Sequence, residues 1–221
     1  SDLAPSIGGS GLITGNSVSL NALGTNGSVS AQTSTSNLAV ASAGNVAVAN
    51  NKQLDSLSLT ANHASTSGAL NNSYSITATG MSAFSLSDST GVAGLTLNDI
   101  RNTGNLALSI SSDRALTVNN VTTAAGGSVT LASNGTIYGT SSSAGTPNIT
   151  TGALTLNAGS VTGVYATSQP LYVSVDSLSS NVRGSLWVSN NKSLTLLDNS
   201  ATSSAQVNVT NGSIMQGTGR F

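Results

Sequence analysis

Asp88, Asp99 and Asp113, with Arg101 and Arg114, form the one local concentration of charge in a 221-residue chain with seven Asp, no Glu and six Lys or Arg. Two carboxylates flanking one glycosidic bond, one as acid and one as base or nucleophile, are the minimum equipment for glycoside hydrolysis. Spacings of 11 and 14 residues would set these aspartates on neighbouring coils of a repetitive fold. The same residues have a plainer use. Aspartate at a strand end accepts hydrogen bonds from turn N–H groups, and Asp99/Arg101 or Asp113/Arg114 pairs on a surface contribute little. Other catalytic material is scarce. His63 is the only histidine, its nearest carboxylate is Asp55, and there is no cysteine. A zinc site needs three or four His, Cys or carboxylate ligands, and a triad needs precisely placed partners. The expectation is a protein that is not an enzyme and needs no cofactor or metal. The alternative is a carbohydrate-active enzyme working through Asp88, Asp99 and Asp113.

The elements that would carry such residues are legible from composition. Charged residues are 6% and aromatics 3%, while Ser, Thr and Asn number 41, 27 and 24. The net charge of −1, with cations spread singly, excludes the clustered Lys and Arg that nucleic acid requires. Residues 3–51 and 115–175 are uncharged. Polar residues nevertheless interrupt them every second or third position, so neither can span a membrane as a helix. Membrane barrels want strands of about ten residues with aromatic girdles, and the alternating runs here are shorter. Lack of cysteine excludes disulfide frameworks and thiolate chemistry.

Apolar residues recur with period two, as in Val18/Leu20, Leu38/Val40, Val46/Val48, Leu57/Leu59, Leu95/Leu97, Leu106/Leu108, Leu116/Val118, Val129/Leu131 and Leu154/Leu156. Period two is strand periodicity, and the helical spacing is scarcely found. Between Phe84/Leu86 and Val129/Leu131 the doublets recur about every 11 residues. A sandwich has similar spacing but normally fills its core with large aromatics. Small aliphatic pairs suit a narrow coil in which like positions stack at strand spacing. Internal repeats agree. Gly44-Asn-Val-Ala-Val-Ala-Asn-Asn-Lys-Gln-Leu54 and Gly184-Ser-Leu-Trp-Val-Ser-Asn-Asn-Lys-Ser-Leu194 share one pattern, and Leu116-Thr-Val-Asn-Asn120 ends in the same Asn pair. Asn suits a tight corner because its amide can bond its own backbone or the next coil. The fold expected is all-β, a parallel β-helix or β-solenoid of about ten coils, each of roughly 18–25 residues. It is a single elongated unit over 1–221, with 1–16 as an irregular or capping start.

Three aromatics fall outside that core. Alternation in Pro170-Leu-Tyr-Val-Ser-Val175 and Ser185-Leu-Trp-Val188 points Leu and Val inward and Tyr172 and Trp187 outward, with Tyr165 just upstream. Aromatic faces on a polar rod can stack on sugar rings or anchor a protein, unless a loop or neighbouring coil covers them. Tyr165, Tyr172 and Trp187 are therefore the candidate contact residues for a glycan or protein partner. Ice binding through a flat Ser/Thr face is a further alternative, which the irregular mixture of Ser and Thr disfavours. Regular Gly-Gly-x-Gly-x-Asp calcium repeats are absent. Eight Asn-x-Ser/Thr sequons occur, close to the chance expectation of about seven, and carry no information.

Asn105–Ile110, Ala115–Val121, Gly126–Ile137 and Gly152–Val161 resemble the G-x-L-x-L-x-A-x-G-x-[IV] repeats of filamentous haemagglutinin-like, two-partner-secretion adhesins of Gram-negative bacteria. The resemblance is one of texture, covering roughly Val18 to Ile214. It implies a right-handed parallel β-helix and a structural or adhesive shaft at the bacterial cell surface. It also implies an outer-membrane secretion partner, attachment to a host or cell-surface glycan or protein, and self-association into filaments. The secretion domain of that class is not evident, so the chain reads as a piece of the stalk.

Overall fold

The structure is a computed structural model that describes residues 6–22, 27–42, 46–52, 56–61, 72–78, 84–88, 95–102, 107–112, 115–162 and 169–219. His63, Asp113, Arg114 and Tyr165 lie outside them. Two parallel sheets face each other, one of ten strands and one of thirteen, and the chain passes from one to the other, with two successive strands in the larger sheet on the rungs between Leu116 and Ser174. The expected β-solenoid is present: a repeat protein in which each strand pairs with its equivalents on the preceding and following rungs.

The ten-stranded sheet runs from Ser17–Ala22 through Ala107–Ser112 to Ile214–Gln216. Its registers bring the apolar doublets into continuous columns. Val18 stacks on Leu38, then Leu57, Phe84, Leu108, Val129, Leu154 and Leu178. Beside it runs the column Leu20, Val40, Leu59, Leu86, Ile110, Leu131 and Leu156. Because successive side chains point to opposite faces, one register decides the fate of every residue: Leu108, Ile110, Leu131 and Leu156 are buried, while Ser109 and Ser111 are exposed. Leu108 packs inward with Ile110; Leu106, the other member of its expected doublet, lies outside the described residues.

The thirteen-stranded sheet supplies the facing half of the core through Ile100, Val121, Ile149 and Val173, and through Leu116, Ile137, Val161 and Leu186. Midway it splits. The Leu95–Asn102 strand pairs with both Leu116–Val118 and Val121–Thr122, and two columns of short strands follow until Leu186–Asn190 rejoins them. Asn119 and Asn120 make the break, with the Asn119 N–H donating to Leu97 O at 2.8 Å and Ile100 N–H to Asn120 O at 2.9 Å. The start of the chain joins the same sheet, since Leu12–Thr14 pairs with Val29–Ser34.

The corners are held by buried asparagines. Asn190 is fully buried; its Oδ1 accepts from Val175 N–H at 2.8 Å, and its Nδ2 donates to Val175 O at 3.0 Å and Lys192 O at 2.6 Å. Asn50 repeats the arrangement. Its Oδ1 accepts from Thr35 N–H at 3.1 Å and from Thr33 Oγ1 at 2.8 Å, and its Nδ2 donates to Thr35 O at 3.2 Å and to Lys52 O. Each amide clamps the preceding rung while closing its own turn, which is what the shared Asn-Asn-Lys sequence encodes. The next residues match too: Asn51 N–H donates to Thr33 O and Asn191 N–H to Val173 O. On the outside of the Asn190 corner, Lys192 reaches Asp176 at 2.9 Å, an exposed pair of little weight.

Other corners close through glycine. Gly152 lies over Gly127, and a Cβ there would collide with Ala125 O and come to 2.9 Å from Gly127 O. Gly159 lies 2.7 Å, at Cβ, from Gly135 O, and Gly184 stacks on Gly159 in turn. Backbone is the obstacle, so a side chain is accommodated only by separating two rungs. Gly152→Ala is expected to destabilise by about 1–3 kcal/mol, read as a lower melting temperature by circular dichroism. An unchanged melt would mean the corner spacing is not limiting.

Candidate functional site

The split in the thirteen-stranded sheet gathers the outward aromatics. Trp187 lies on Leu186–Asn190 between inward Leu186 and Val188, and Tyr172 on Leu171–Ser174 between inward Leu171 and Val173. Both are half-buried. Tyr172 pairs in register with Ser189, two residues along from Trp187. The two aromatic positions are therefore diagonal neighbours roughly 8 Å apart, from one rung spacing and two strand residues. Tyr165, the third candidate, lies outside the described residues.

The geometry adds a residue that the sequence reading passed over. Tyr138, on Thr136–Gly139, is half-buried and outward beside inward Ile137. It pairs with Thr162 on the next rung, and Val161 pairs with Leu186, so Tyr138 and Trp187 share one outward column with a single rung between them. Their positions stand roughly 10 Å apart along the axis. The signal was present in the alternation of Thr-Ile-Tyr-Gly, but 33 residues of intervening sequence up to Tyr172 hid the proximity. Trp187 is partly oriented by polar neighbours: its Nε1–H donates to Ser204 Oγ at 3.4 Å, a long bond, and Ser204 donates to Ser185 Oγ at 3.0 Å.

A strap flanks the patch. Residues 140–148 leave the sheet between Thr136–Gly139 and Ile149–Thr150, turned by Ser141 Oγ to Ser143 O (3.1 Å) and Ser141 Oγ to Thr146 Oγ1 (2.9 Å). Asn191 Nδ2 donates to Ala144 O at 3.1 Å, drawing the strap past the Tyr172 rung. Beside it Ser189 is 1% exposed despite its outward register position, and its Oγ has no hydrogen-bond partner among the described residues. Asn148 anchors the strap's return, with Nδ2 donating to Val118 O at 3.0 Å and Asn119 O at 3.2 Å. The Tyr172 end is thus bordered by a loop, while the Trp187 end opens toward Gln206 and Ser204, both exposed. Such a surface offers ring faces for stacking, rimmed by hydroxyls and amides.

The aspartates are arranged differently. Asp88 ends the Phe84–Asp88 strand of the ten-stranded sheet, whereas Asp99 lies within Leu95–Asn102 of the thirteen-stranded one. Their backbones belong to opposite sheets. Among the described residues no three His, Cys, Asp or Glu gather in a group able to hold a metal ion, and no helix is long and apolar enough to cross a membrane. The outward columns of the ten-stranded sheet mix residue types, as in Ser19–Ala39 and Ser111–Ala132–Asn157. No protein-family model matches the chain, and no curated protein and no solved structure shows a significant likeness to it.

Proposed function

We propose that this solenoid is a shaft segment of an exported bacterial surface fibre, a filamentous adhesin that mediates attachment or self-association. The observation that carries the reading is the pair of ladders from Val18 to Leu178 and from Leu20 to Leu156, which lie beneath outward positions occupied by Ser, Thr, Asn and Ala. Stacked backbone bonds and thin aliphatic ladders make length the product of such a fold. A neutral outer surface suits a rod that stays soluble without charge-driven partners. The likeness of the repeats to the filamentous haemagglutinin class supports the same reading. It suggests an extracellular location at the bacterial surface and an outer-membrane secretion partner. The contact surface in this reading is the Tyr138, Tyr172 and Trp187 patch, engaging a host or cell-surface glycan or protein.

Electron microscopy of the purified segment at low and high concentration is the test. Isolated short rods support a stalk module, long filaments support self-association as the principal activity, and irregular particles would overturn both. Trp187→Ala is expected to reduce adhesion of segment-coated beads to target cells at least several-fold, with the melting temperature unchanged because the ring is outward. Undiminished adhesion would remove the patch from the proposal.

A further inference from the structure

The ten-stranded sheet carries on its outer face a groove of about 540 Å³, lined by Thr155, Asn157, Ser179, Asn181, Asp198 and Ser200. It faces away from the aromatic patch. Its shape comes from an irregularity in the ladder. Leu178 pairs with Leu196, but Ser180 pairs with Asn199, so Leu197 and Asp198 together face Ser179. An extra residue bends the strand and re-aims its side chains: Asn199 turns inward and Asp198 stays exposed. The floor is rigid. Asn199, 5% exposed, accepts from Ser180 Oγ at 2.9 Å and donates to Leu178 O at 3.1 Å and Leu197 O at 3.0 Å.

Above that floor the hydrogen-bonding groups form a grid. Thr155 stacks on Ser179, and Asn157 stacks on Asn181, which stacks on Ser200. The Thr155, Asn157 and Ser179 side chains have no hydrogen-bond partner among the described residues. Asn181 Oδ1 takes only a long bond from Ser200 Oγ, at 3.4 Å. Rung spacing sets the columns roughly 4.8 Å apart and strand spacing sets the rows roughly 7 Å apart. Hydroxyls that donate and accept, amides that do each at separate atoms, and one carboxylate acceptor occur together.

The chemistry of the lining selects the occupant. Among the described residues the lining has one carboxylate and neither Lys nor Arg, so it offers phosphate, sulfate and uronate groups no cationic partner. Among the described residues no aromatic or long aliphatic side chain lines it, which gives an apolar ligand no matching surface there. A divalent cation such as calcium wants six to eight oxygens and usually several charges. The volume falls within the usual range of ligand sites. We infer that this groove binds a neutral oligosaccharide, whose hydroxyls both donate and accept and so match the mixed grid. The inference goes beyond the shaft proposal, uses the opposite sheet, and stands or falls separately from it.

The test is a printed array of neutral, sialylated and sulfated glycans, probed with the whole segment and followed by calorimetric titration of the best neutral hit. Saturable binding to neutral glycans is expected. It should weaken at least tenfold in the Asn157→Ala/Asn181→Ala double variant and several-fold in Asp198→Asn, all with unchanged melting temperature. Trp187→Ala should leave it intact. Binding to no neutral glycan, or to acidic glycans alone, would overturn the assignment, as would neutral-glycan binding lost in Trp187→Ala and kept in the double variant. None of these outcomes alters whether the segment forms rods.

Discussion

Replacing Leu108 by aspartate is expected to unfold the rungs around it, lowering stability by more than about 4 kcal/mol, whereas Ser111→Asp on the same strand should be nearly silent. Leu108 is 1% exposed and sits in register between Phe84 and Val129. The substitution removes a buried aliphatic side chain, worth about 1.5–3 kcal/mol, and places a carboxylate where no partner compensates it. Ser111 is exposed on the opposite face, and an added charge there stays hydrated. Val118→Asp, at a fully buried position of the facing sheet, should behave like Leu108→Asp. Chemical denaturation of the three variants decides the matter. Equal losses for Leu108→Asp and Ser111→Asp would contradict the register.

The second large effect is expected at the corner. Asn190→Asp changes one amide nitrogen to oxygen and nothing else in shape. Oδ1 would still accept from Val175 N–H, but the second oxygen would face Val175 O and Lys192 O, both of which now accept from Nδ2. A buried charge against two carbonyls should destabilise by about 3 kcal/mol or more at pH 7. The pH dependence follows from the same contacts. Protonation restores a donor, so the folded-state pKa of the new carboxyl rises above the ordinary Asp value of about 3.9. The lost stability is then recovered below the unfolded-state value and forfeited as pH climbs through the folded one. Melting measured from pH 7 down to pH 4 should show the deficit against the parent protein shrinking. A small deficit that ignores pH would mean Asn190 is not the clamp described.

Much of this architecture could be read from residue types, and the reason is geometric. Period two reports which side chains share a face, so Val18/Leu20, Val129/Leu131 and Leu154/Leu156 were recognisable as inward pairs without any pairing partner. What period two does not carry is the identity of the sheet. Leu116/Val118 and Val129/Leu131 look alike in sequence yet face each other across the core, because both sheets are parallel and both bury small aliphatics. Rungs of unequal length add to this: Leu38 meets Leu57 but Leu57 meets Phe84. Buried polar residues were the least legible. Asn50 and Asn190 were recognisable as corner residues, but their bonds to Thr35 and Val175 depend on which rung lies alongside. Ser180 and Asn199 occupy positions that continue the Leu156 column, and the extra residue at Asp198 that creates the groove is visible only once Leu178 is paired with Leu196.

The strap at residues 140–148 has a consequence for how the coil can open. A stack in which each layer touches only its neighbours can fray by single layers, the amide protons of each exchanging on their own schedule. The bond from Asn191 to Ala144 O ties one layer to the next but one, and passes over the layer that carries Tyr172. Opening that middle layer must then either break the tie or carry its two neighbours along. The described backbone amides between Thr136 and Asn191 should therefore exchange as one block, and the solenoid should have in this stretch a unit of three layers that melts together.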